Sequence, residues 1–140
     1  VNVRFLSFLL KKDPIYSLKN LRKNTSGVIG GILPGRSTDA NAAIAAKIIK
    51  AHMLIKLTNV DGVYTKDPKR FKNTKKLHKI KFNELKKYTK TGKPGSYGIL
   101  DVMAADIIRK YKIKTAIISG RDPKDILKLL NGGKLGTVIE

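Results

Sequence analysis

Leu57-Thr58-Asn59-Val60-Asp61-Gly62-Val63-Tyr64-Thr65-Lys66-Asp67-Pro68 follows directly on an apolar run that begins at Met53. An apolar run of strand length that empties into a loop bearing two acids, a glycine and a tyrosine is the pattern of a buried parallel strand. Such strands place polar side chains at their carboxyl ends, where open α/β sheets bind ligands. Outward from this stretch, apolar spacing and breaker residues alternate strands with helices. Helical segments are expected at residues 3–10, 16–21 (a short helix or turn), 39–51, 83–89, 99–110 and 123–130. Strands are expected at 26–31, 52–58, 77–80, 113–118 and 136–139, with a loop from 59 to about 76 and another over 91–98. This alternation predicts an α/β fold with a mostly parallel sheet sandwiched between helices. Thr38 or Asp39 is the expected N-cap of the Ala-rich helix, and Pro123 suits the first position of the last one.

With 140 residues, 41% of them apolar, the chain has the size of one domain with a real core. It has no cysteine, which excludes disulfides and thiolate metal sites. The apolar segment Phe5-Leu6-Ser7-Phe8-Leu9-Leu10 is far shorter than the roughly 20 residues of a membrane span and runs into Lys11 and Lys12. No small-residue cleavage site follows it, so a signal peptide is not expected and the expected location is the cytoplasm. The net charge of +20 favours anionic partners. Lysines outnumber arginines 24 to six, they are spread along the whole chain, and aromatics are only 6%. That pattern argues against a dedicated nucleic-acid surface, which would combine a clustered basic face with stacking rings.

Three constellations carry chemistry. Gly30-Gly31-Ile32-Leu33-Pro34-Gly35-Arg36-Ser37-Thr38-Asp39 opens the Ala-rich helix. Glycines allow close backbone approach, and the N–H groups of a helix start attract anions, with the Ser37, Thr38 and Arg36 donors beside them. Its ordinary alternative is a capped strand–turn–helix junction. In the second, the stretch quoted first, Tyr64 can stack on a base or ribose, Thr58 can donate to phosphate, and Asp67 can accept from a ribose hydroxyl or an amine. Taken singly, Asp61-Gly62 is a tight turn and Tyr64 a packing residue. The third is Lys93-Pro94-Gly95-Ser96-Tyr97-Gly98, ahead of a helix with Asp101 in its first turn; it is either a second anion site, a hinged lid, or a surface loop. His52 and His78 have no partners at metal or triad spacing and read as structural.

Several of these blocks, in order, resemble uridylate (UMP) kinases of archaeal type in the amino-acid-kinase superfamily. They are Gly-Gly-x-x-Pro-Gly-x-Ser-Thr-Asp at 30–39, Leu-Thr-Asn-Val-Asp-Gly-Val-Tyr-Thr-Lys-Asp-Pro-Lys at 57–69, Leu-Asp-Val-Met-Ala-Ala at 100–105 and Gly-Thr-Val-Ile-Glu at 136–140. The Thr-x-Val-Asp-Gly-Val block is shared with aspartokinases; the Pro-Gly-x-Ser-Thr-Asp turn favours UMP kinase. The resemblance implies an αβα kinase fold, truncated at its N-terminus, that transfers the ATP γ-phosphate to UMP with Mg²⁺. By position it assigns Asp39 to organise phosphoryl transfer and Thr58, Tyr64 and Asp67 to ATP. UMP falls to Ile32, Leu33, Pro34, Gly35, Arg36, Ser37 and Thr38, and no residue is assigned to a metal.

The family's N-terminal half carries further Gly-rich phosphate loops, an arginine after them and an acid that grips the uridine ribose. None is present in this chain, which begins with Val1. It is therefore expected to be the C-terminal part of such an enzyme, with residues 1–26 a helical remnant and 27–140 the nucleotide-binding part. A separate N-terminal half and a hexameric assembly are the partners so implied. Arg36 stands where many members carry a smaller or neutral residue, a charge that would offset part of what is lacking. The alternatives are another kinase of the superfamily, acting on aspartate or a small phosphate, and an inactive nucleotide- or nucleic-acid-binding remnant.

Overall fold

The computed structural model describes residues 2–32, 34–90 and 98–140. The chain opens with α1 (Asn2–Leu10), β1 (Pro14–Ile15), a single 3₁₀ turn (Leu18–Asn20) and β2 (Val28–Ile29). Helix α2 (Thr38–Ile49) then leads into β3 (Leu54–Thr58). Four two-residue strands come next: β4 (Val63–Tyr64), β5 (Lys76–Leu77), β6 (Lys79–Ile80) and, after a 3₁₀ helix (Phe82–Tyr88), β7 (Thr89–Lys90). The remainder is β8 (Leu100–Asp101), α3 (Val102–Tyr111), β9 (Thr115–Ser119), α4 (Lys124–Leu130) and β10 (Thr137–Ile139).

The main sheet has the order β3-β9-β10-β6. β3 and β9 run parallel in register from Leu54↔Thr115 to Thr58↔Ser119, so both carboxyl ends finish side by side. β10 pairs antiparallel with β9 and parallel with β6. Pleat alternation divides β9 between two cores. Ile117 joins Ala43 of α2 and Ala104, Ala105 and Ile108 of α3 on one face. Ala116 and Ile118 meet Leu129 and Ile126 of α4 on the other. Helices therefore cover both faces, as the alternation predicts. Fully buried alanines at 40, 43, 104 and 105 let α2 and α3 approach each other and the sheet closely.

Several expectations are corrected. The main sheet is mostly parallel as expected, with one exception: the chain after α4 turns back through Gly132 and Gly136, both at positive φ, and so sends β10 antiparallel to β9. The loop over 59–76 contains the β4–β5 hairpin pairing. Residues 77–80 divide between that hairpin and β6, the edge of the main sheet. The helix expected at 83–89 is a 3₁₀ helix, and the one expected from 99 starts at Val102 because Leu100 and Asp101 pair with Thr89 and Lys90. Before α2, β1 pairs parallel with β2 and α1 packs on both. The other side of α1 leaves Phe5, Phe8, Leu9 and Leu10 exposed. No described helix is long and apolar enough to cross a membrane.

Candidate active site

The N-termini of α2 and α3 converge, and Ser37 and Asp101 join them. The cap of α2 is Ser37, not Thr38 or Asp39: its extended backbone brings Oγ within 2.9 Å of the Ala40 N–H, which it accepts. The same hydroxyl donates to Asp101 Oδ2 at 2.5 Å. Asp101 in turn caps α3, with Oδ1 accepting the Ala104 N–H at 2.9 Å. Because Ser37 does the capping, Asp39 in the first turn of α2 is left to pair with Lys56 Nζ on β3. Two positive helix ends thus lie beside one carboxylate–ammonium pair.

Beyond the carboxyl end of β3 the chain is held to the sheet at three places. The Gly120 N–H donates to the Thr58 carbonyl at 2.9 Å. The Val63 N–H donates to Thr137 Oγ1 at 2.8 Å, and that hydroxyl donates on to the Leu77 carbonyl. Gly62 lies between, where a Cβ would stand 2.8 Å from Thr137 Oγ1, so no side chain fits. Tyr64 Oη donates to Asp61 Oδ1 at 2.7 Å, and Lys76 Nζ lies 2.9 Å from Asp61 Oδ2. The Tyr64 hydroxyl first, then Lys76, hold the Asp61 carboxyl below its ordinary range. Asp67 Oδ1 accepts the Lys69 N–H at 2.9 Å, fixing the turn that carries Pro68.

Two cavities meet here. One, of about 290 Å³, lies between Gly30, the first turn of α2 (Thr38, Asp39, Asn41) and β3. Asn41 is 2% exposed, and its amide has no hydrogen-bond partner among the described residues. The other, of about 320 Å³, is lined by Thr58, Asn59, Val60, Asp67, Lys69 and Ile99. Lys56 lines both.

The expected site residues are therefore distributed as follows. Thr38 and Asp39 line the first cavity and Thr58 and Asp67 the second. Tyr64 lies on β4, engaged with Asp61. Pro34 and Gly35 form a turn ahead of α2, with Gly35 at φ +76°, and Ile32 and Arg36 lie to either side of it. Leu33 and the segment 93–97 lie outside the described residues. Lys56, Asn41 and the Ser37–Asp101 bond are additions that sequence reasoning missed. Strand alternation from Leu54 and Thr58 would have put Lys56 on the α2 face. Among the described residues no group of three or more His, Asp or Glu side chains could hold a metal ion by itself.

This fold recurs in known proteins. The model of the amino acid kinase family matches residues 7–119, and the chain belongs to that family. It is 40% identical over 115 residues to the uridylate kinase of Thermococcus kodakarensis, covering 81% of this chain and 51% of that protein. It is 43% identical over 121 residues to the uridylate kinase of Methanococcus aeolicus, covering 85% and 53%. The crystal structure of uridylate kinase from Archaeoglobus fulgidus superposes with a TM-score of 0.69 at 42% identity, over 81% of this chain and 51% of that one. The chain thus spans about half the length of the curated relatives it matches.

Proposed function

We propose that this chain carries the ATP side and the acceptor-phosphate side of an ATP:UMP phosphotransferase, making UDP for pyrimidine nucleotide synthesis in the cytoplasm. The observation that carries the reading is the pair of adjoining cavities at the carboxyl end of β3, with Asp39 and Lys56 at their junction. Likeness to archaeal uridylate kinases over four-fifths of the chain supports the choice of UMP. UMP would lie against residues 32–38, and ATP against Thr58, Tyr64 and Asp67. Phosphoryl transfer needs in-line placement of two phosphates and neutralisation of developing charge. Asp39 would organise that centre by holding Lys56.

Mg²⁺ is bound largely by nucleotide phosphates and needs only one or two protein carboxylates. Asp39, on the cavity wall, would supply such a contact, and the ion would supply further neutralisation of phosphate charge. We read residues 27–140 as the nucleotide-binding part and 1–26 as the segment that precedes it. The open apolar face of α1 supports a partner carrying the remaining strands, and a hexamer is the assembly proposed. By itself the chain should bind nucleotides and transfer phosphate poorly.

The test is thermal denaturation with ATP, UMP or aspartate, together with UDP formation. ATP and UMP should each raise the melting temperature while aspartate does not. Asp39→Asn should abolish whatever UDP formation the wild type, alone or with a complementing half, displays. Stabilisation by ATP with none by UMP would move the assignment to another kinase of the family. Steeply salt-dependent DNA binding without ATP binding would leave only a basic remnant.

A further inference from the structure

We propose that Lys56 is the cation that contacts the phosphoryl group in transfer, and that Asp39 is its positioning residue; the inference rests on the phosphotransferase reading above. Lys56 is the only described residue that lines both cavities. A group in flight from the donor to the acceptor would pass its ammonium. The placement follows from β3: Leu54 packs into the α2–α3 core, and alternation puts Lys56 on the same face, at the first turn of α2. There the side chain is only 20% exposed and paired with Asp39.

The ordinary reading, a partly buried ion pair that serves stability alone, fits two other features less well. Asp39 already sits at the positive end of a 12-residue helix, where a carboxylate is stabilised without a lysine. A Lys ammonium has three N–H donors, and among the described residues only Asp39 accepts from it. The remaining donors, together with the unpartnered Asn41 amide, equip the junction for the oxygens of a phosphate. In the reaction, an oxygen of the UMP phosphate forms a bond to Pγ as the bond from Pγ to the bridging β-oxygen breaks and ADP leaves. Lys56 forms no covalent bond; its charge offsets what builds on the transferring oxygens. Asp39 holds that charge on the line of transfer instead of out in solvent.

Calorimetric titration of wild type, Lys56→Met and Lys56→Arg with ATP, ADP and UMP tests this. Loss of a charged hydrogen bond to the γ-phosphate should weaken ATP binding to Lys56→Met by about tenfold or more. ADP, which lacks the γ-phosphate, should bind both proteins alike, and Lys56→Arg should recover most of the ATP affinity. A purely structural lysine would leave the ATP-to-ADP affinity ratio unchanged, and that result overturns the proposal. Should Lys56→Met lose the fold, Lys56→Gln retains a donor for Asp39 and reads the same ratio. Wild-type protein that binds neither ATP nor UMP would instead remove the phosphotransferase reading, and this role with it.

Discussion

Asp61 shows how far a single residue can be read from its neighbours in sequence. Asp61-Gly62 reads as a turn and Tyr64 as a stacking or packing residue; the chain bends at Asp61 and Gly62 without closing a turn, and the ring is partly buried. What the string of residues does not disclose is that the tyrosine hydroxyl is donated to the acid three positions before it, with Lys76 on the far side. Tyr64→Phe should raise the Asp61 pKa toward its ordinary 3.8 while Lys76 keeps part of the depression. Carboxyl chemical shifts followed by NMR against pH would check it; an unmoved Asp61 would show that Lys76 alone holds the carboxylate. Lys56 is only half legible for a different reason: strand alternation puts it on the α2 face, but it is one of 24 lysines and the folded pairing with Asp39 is what singles it out. The cap of α2 was missed by one or two residues because Ser37, Thr38 and Asp39 are all good caps. Backbone geometry decided for the serine.

Among the elements, long periodic segments were legible and two-residue strands were not. α2, α3, β3 and β9 stand within a few residues of where apolar spacing puts them, since each buries a stripe or face large enough to leave a pattern. The β4–β5 and β7–β8 pairings are two residues long and depend on partners 11 to 14 residues away, which leaves no local signal. The direction of β10 was likewise hidden, because it depends on how the glycine-rich turn after α4 is folded. Both α2 and α3 end on a lysine in the left-handed region, Lys50 at φ 53° and Lys112 at φ 50°. Glycine at such a position removes roughly 1–2 kcal/mol of backbone strain, at an entropic cost of roughly 0.5–1 kcal/mol. Lys112→Gly should therefore stabilise the protein by about 0.5 kcal/mol. Urea denaturation of the variant beside wild type measures it, and a loss of stability would mean that the Lys112 side chain contributes contacts that outweigh the strain.

Over the molecule as a whole, 30 basic residues surround only 10 acids, so each carboxylate counts. Glu140 stands between Lys79 Nζ at 2.8 Å and Lys114 Nζ at 3.0 Å, joining β6 to the start of β9 across the main sheet. Hydrogen bonds from Lys79 and then Lys114 lower its pKa from 4.5 to about 2. A carboxylate whose folded pKa is depressed lends stability that is complete above its unfolded value and drains away as pH falls through the folded one. The contribution of Glu140 should thus be intact above about pH 4.5 and vanish toward pH 2. Glu140→Gln should flatten that part of the urea-midpoint-against-pH curve, and since all three side chains are well exposed, added salt should shrink the difference. Identical curves for the two proteins at low salt would show the pair to be energetically silent.

The hydroxyl of Thr137 has a consequence for the order in which the molecule assembles. It holds the Val63 amide across 74 residues of chain, one of the longest loops the fold must close. Closing a loop of that length has to precede the reward of the contact it makes, which slows the step. The loop after β3 therefore cannot take its final form until β10 has docked beside β9. Helices α2 and α3 also meet across a long stretch of chain, 64 residues between Ser37 and Asp101, but the Val63 amide gains its partner only when the last strand arrives.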